Sequence, residues 1–110
     1  MIVQICNLYP FEPSGVQAKV ERQKKKLLRR NTKPIEILRV DDELLVVDGN
    51  NTVIAARAIG MTELEATEVY KPEQEMRPYR DALADARAAG MRGFDNVPVD
   101  SSITNRSKRY

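Results

Sequence analysis

The segment Asp48-Gly49-Asn50-Asn51-Thr52 lies where an apolar run, Leu44 to Val47, meets a short amphipathic stretch that ends at Gly60. A strand that turns through glycine into the polar start of a helix presents backbone N–H groups with no intrahelical acceptor, together with a partial positive charge. That arrangement suits a phosphate group. Gly49 would let the backbone approach such a ligand closely. Asn50, Asn51 and Thr52 are either ligand contacts or only caps of the helix, and Thr52 offers one hydroxyl donor where an arginine would offer a charged fork. Asp48 either forms the turn or assists a Mg²⁺ carried by a nucleotide. Arg57, further along the same helix, is the nearest guanidinium in sequence and is either a contact or a surface residue.

A second feature carries charge. Residues 19–33 hold eight basic side chains against one acid, Glu21, although the whole chain has a net charge of only +2. Lys19, Arg22, Lys24, Lys25, Lys26, Arg29 and Arg30 fall in a helical stretch and are either a solvated face or a surface for nucleic-acid phosphates. No aromatic residue interleaves with them, so stacking of single-strand bases is not indicated. The stretch from Glu36 to Glu75 is acidic, which predicts one basic and one acidic face.

Other chemistry is excluded by composition. The chain has no histidine, which removes imidazole bases and ligands, and its single cysteine, Cys6, cannot form an internal disulfide or a zinc site. Asp41-Asp42-Glu43 reads as turn chemistry, and no metal site is expected. No apolar stretch has the length of a membrane span and no signal sequence is evident, so a cytoplasmic protein without membrane partners is expected.

The elements that must position these residues are those of a small α/β chain. A length of 110 residues with 42% hydrophobic content supports one core. Ile2 to Ile5 reads as a strand, followed by a loop in YPFEPSG. A helix opens at Ser14 or Gly15, with Val16, Val20, Leu27 and Leu28 as its apolar stripe. Asn31 closes it in a left-handed conformation and Pro34 prevents its continuation. Ile35 to Val40 and Leu44 to Val47 form a hairpin across Asp41-Asp42. The following helix is capped by Asn50 or Asn51, buries Val53, Ile54, Ala56, Ala58 and Ile59, and ends at Gly60. Leu64 to Tyr70 alternates as a half-exposed strand. After Pro72, a helix with Pro78 in its first turn carries Tyr79, Ala82, Leu83 and Ala86 inward and stops at Gly90. Phe94, Val97 and Val99 fold back onto the body. Residues 101–110 are expected to form a flexible basic tail.

In this order, Pro34-Ile35-Glu36-Ile37 and Val47-Asp48-Gly49-Asn50-Asn51-Thr52 with Ala55-Ala56 resemble the ParB and sulfiredoxin-like superfamily over Ile2 to Tyr70. The resemblance implies a mixed-sheet core over residues 1–70, extended here by a helical segment over 71–100. It also implies a nucleotide or phosphate ligand, with Mg²⁺ where a nucleotide binds, at the glycine turn. Thr52 stands where the family's arginine is expected, Asn51 where a histidine is common, and Asn50 where sulfiredoxins carry their cysteine. Sulfiredoxin chemistry is therefore not implied.

In the family's kinase branch a loop glutamate is the catalytic base, and Glu12 in PFEP matches its place. The leading expectation is a prokaryotic or phage binding or regulatory module that takes a nucleotide or phosphate and contacts DNA through the basic helix. The alternatives are a small kinase- or nuclease-like enzyme with Glu12 as base, and a degenerate domain that binds protein or forms a homodimer.

Overall fold

The computed structural model describes residues 1–101; apart from Ser101, the tail expected at the C-terminus lies outside the described residues. Seven strands and three helices follow in the order β1 (Ile2–Gln4), β2 (Leu8–Pro10), β3 (Gly15–Val16), α1 (Gln17–Leu28), β4 (Ile35–Val40), β5 (Glu43–Asp48), α2 (Asn50–Ala58), β6 (Glu63–Val69), α3 (Arg77–Ala88) and β7 (Val99–Asp100). Five of the strands form one mixed sheet in the order β1-β6-β4-β5-β2. β1 and β6 run antiparallel, as do β4 and β5, whereas β6 with β4 and β5 with β2 are parallel.

The hairpin β4–β5 forms because its turn residues tolerate what it demands. Asp41 and Asp42 both have positive φ, 46° and 67°, as a two-residue hairpin turn of the primed type requires. Side chains then alternate between two buried faces. Ile35 and Ile37 of β4, Val46 of β5 and Leu64 and Ala66 of β6 meet Val20 and Leu27 of α1 and Val53, Ala55 and Ala56 of α2. Leu38, Val40 and Leu45 on the other face meet Met76, Leu83 and Ala86 of the α3 segment. The sheet is thus a central layer between two layers of helix, which is an α/β architecture with a small mixed sheet.

The N-terminal segment departs from the strand expected at Ile2 to Ile5. Its pairing stops at Gln4, a 3-10 turn occupies Ile5–Asn7, and Leu8–Pro10 pairs with β5 at the opposite edge of the sheet. The step from Gln4 to Leu8 spans at most about 14 Å, whereas four strand spacings in a flat sheet amount to about 19 Å. The sheet must therefore curl, and the Ile- and Val-rich stretch Ile2 to Leu8 breaks where that curl turns the chain.

Smaller corrections concern α1. Gly15–Val16 is extended, pairs with Val99–Asp100 and delays the helix to Gln17. Leu28 is 72% exposed, because it lies about 90° around the helix from Val20 and Leu27. The left-handed residue after the helix is Arg30, with φ 55°, rather than Asn31. In α2 the fully buried positions are Val53, Ala55 and Ala56, and Ala58 is exposed. Among the described residues no helix is long and apolar enough to cross a membrane.

Candidate phosphate-binding cleft

The turn between β5 and α2 is built by Gly49, which precedes the helix with φ 103° and ψ 21°. The first intrahelical bond runs from Val53 N–H to Gly49 O at 3.0 Å. The N–H groups of Asn50, Asn51 and Thr52 therefore precede the helical ladder, as at any helix start.

Neither asparagine caps the helix with its side chain. Both reach instead into the loop that precedes α1. Asn50 Nδ2 donates to Ser14 O at 2.8 Å, and Asn51 Oδ1 accepts from the Val16 N–H at 3.0 Å. Thr52 Oγ1 donates to Gln23 Oε1 of α1 at 3.1 Å. Three successive residues of α2 thus fasten it to α1 and to the approach to α1. Gly15 is packed between them, and a Cβ there would lie 2.5 Å from Ile54 Cδ1 and 3.1 Å from Asn51 Oδ1, so a side chain would have to displace the Ile54 methyl and crowd the Asn51 amide. The Thr52 hydroxyl proton is engaged with Gln23 and is not left for an anion. Asn51 Nδ2 and the buried Asn50 Oδ1 have no partner among the described residues.

Asn51→Ala would remove the acceptor of the Val16 N–H, and losing a partner for a half-buried donor costs roughly 1–2 kcal/mol. The expected result is a fall in melting temperature of about 5–10 °C, read by circular dichroism. An unchanged midpoint would mean that the loop is not held by this bond.

Beside the turn lies a cleft of about 620 Å³. Its floor is Asp48 to Thr52, and α1 supplies one wall with Lys19, Arg22, Gln23 and Lys26. The loop after α1 adds Lys33, and Glu12 comes from the PFEP loop. Lys19, Arg22 and Lys26 share this wall because spacings of three, four and seven residues return to one side of a helix. The cleft thus combines four cations, two carboxylates and a helix start, and no aromatic ring lines it among the described residues.

The residues singled out from sequence are not all brought together here. Lys24 is turned away and pairs with Glu21 at 2.8 Å. Lys25, Arg29 and Arg30 are exposed and do not line the cleft. Arg57 lies elsewhere, bonded to Phe94 O and Asp95 Oδ1, both at 2.7 Å, and it borders a second cavity beside Cys6 and Arg92. Gln23 and Lys33, in contrast, line the cleft without being among the contacts expected from sequence. Gln23 shares the helical spacing of Lys19 and Lys26, and that spacing is the signal that points to it.

No protein-family model matches the chain, and no curated protein matches it significantly. Solved structures do. Sulfiredoxin from Arabidopsis thaliana superposes with a TM-score of 0.58 at 18% identity, over 76% of this chain and 97% of its own. Protein Atu1540 from Agrobacterium tumefaciens gives the same TM-score and identity over 80% of this chain. The chain has a sulfiredoxin-like fold. Of Atu1540, 47% of the length is spanned. At this identity the likeness is one of backbone fold.

Proposed function

We propose that this chain is a phosphate-binding module for a nucleotide-class ligand, with its seat at the start of α2. The observation that supports this most directly is the wall of Lys19, Arg22 and Lys26, joined by Lys33, facing the Gly49 turn. A helix start alone binds anions weakly, because its partial charge is screened and decays within a turn. Cations held beside it in a concave site add charge-assisted hydrogen bonds, which are about twice as strong as neutral ones. The charge that an arginine at position 52 would supply is thus delivered from the neighbouring helix. Asp48 and Glu12 are the carboxylates available to a Mg²⁺ that accompanies a polyphosphate, an ion that commonly uses one or two protein carboxylates plus phosphate oxygens.

The direct test is a thermal-shift titration with ATP, CTP, ADP and inorganic phosphate, each with and without Mg²⁺. A ligand at a hundred times its dissociation constant stabilises the native state by about 2.7 kcal/mol. For a domain of this size that corresponds to a rise of roughly 10 °C or more. A flat response to every ligand at millimolar concentration would overturn the proposal.

A further inference from the structure

The cations of α1, with Arg29 at its C-cap, extend beyond the cleft. At ~100° per residue, with Lys19 set at zero, Lys26 falls at about −20°, Arg22 at about −60°, Arg29 at about −80° and Lys25 at about −120°. Buried Val20 and Leu27 lie on the other side, near +90° on the same ~100° count. The five basic residues therefore form one band that starts at the cleft wall and continues over the outer shoulder of the helix.

None of the five forms an ion pair among the described residues, whereas Arg39, Arg57, Arg80 and Arg87 each pair with a carboxylate. Lys24, outside the band, is the α1 lysine that does pair, with Glu21. The two carboxylates of the cleft, Glu12 and Asp48, come from other elements, and the one acid of α1, Glu21, lies past Lys25 at about −160° on the ~100° count, where it is bonded to Lys24 and Gln17. A mononucleotide in the cleft leaves the shoulder residues Arg29 and Lys25 unused.

We propose that cleft and band together bind the end of a nucleic-acid strand, with a terminal phosphate monoester in the seat and the adjoining phosphodiesters along α1. This rests on the phosphate seat proposed above and extends it to a polymer. A monoester carries close to two negative charges near neutral pH, compared with one for an internal diester. Four cations and a helix start therefore favour the end of the chain over its middle. Among the described residues no aromatic ring lines the cleft, and none occurs within α1, so contacts run through the backbone, independent of base sequence and sensitive to salt.

The test is fluorescence anisotropy with short oligothymidylates that carry a 5′-phosphate, a 3′-phosphate or hydroxyls only, dye-labelled at the far end, across a salt series. A phosphorylated end should bind about tenfold or more tightly than the hydroxyl-ended strand. Lys25→Gln with Arg29→Gln should weaken every strand and reduce the salt slope by about 0.7 per residue. Equal affinity for all three ends would overturn the proposal, as would an unchanged slope in the double variant. Free ATP and CTP are titrated in parallel. If they bind and the end preference is absent, only the strand proposal falls. If nothing binds, the phosphate seat falls with it.

Discussion

Gly49→Ala is expected to lower the melting temperature by roughly 10–20 °C, the largest stability effect of any single substitution near the cleft. Two costs combine. Gly49 has φ 103°, a conformation that any residue with a side chain adopts at a penalty of about 1–2 kcal/mol. A Cβ built there would also lie 2.5 Å from Ile35 Cγ2, 2.9 Å from Ile35 Cβ and 3.3 Å from Ile35 Cα. Ile35 is 2% exposed and cannot turn aside, so overpacking adds about 1–3 kcal/mol. Gly60→Ala is the matched control, because its φ is 85° but nothing lies within 4 Å of the added Cβ. It should lose only the backbone term. Equal losses in the two variants would show that the turn does not press on β4. The same contact explains why glycine opens α2 in place of a side-chain cap: the turn passes against the first residue of β4, and only hydrogen fits between them.

Much of the framework was legible because local rules and tertiary demand agree. Asp41-Asp42, Pro34, Pro78 and Gly90 each stand at a position whose backbone geometry they suit, and the hairpin and both later helices lie within a residue or two of where those signals put them. The misread elements are those decided at long range. Within Ile2 to Leu8 the one turn former is Asn7, too weak a signal alone to break a strand, and the break at Ile5–Asn7 comes from the curl of the sheet. Asn50, Asn51 and Thr52 have the composition of a capping segment, yet their partners are Ser14, Val16 and Gln23, some thirty positions earlier in sequence. Arg57, close to the turn in sequence, is drawn away by Phe94 and Asp95. Periodicity could have divided the basic residues of α1, because Lys19, Arg22 and Lys26 share one side. It could not show which side meets the α2 turn.

That division leads to the largest expected effect on binding. Combining Arg22→Gln with Lys26→Gln should weaken nucleotide or phosphate affinity by about 100-fold, since each loses a charge-assisted contact worth roughly 1.5 kcal/mol or more. Stability should stay within about 0.5 kcal/mol of the parent, because both residues are exposed and neither has an ion-pair partner among the described residues. Lys24→Gln, which breaks only the pair with Glu21 on the far side of α1, should change affinity little. Isothermal titration at fixed ionic strength separates the outcomes. If the double variant keeps the parent affinity, the seat does not draw its charge from α1. The physical reason to expect otherwise lies in Thr52. Its hydroxyl proton is held by Gln23, so the turn itself presents only backbone N–H groups and the amide of Asn51. Neutral donors of that kind can orient a phosphate but do not repay the desolvation of its charge, and the cations that line the cleft beside the turn are Lys19, Arg22 and Lys26 of α1 with Lys33.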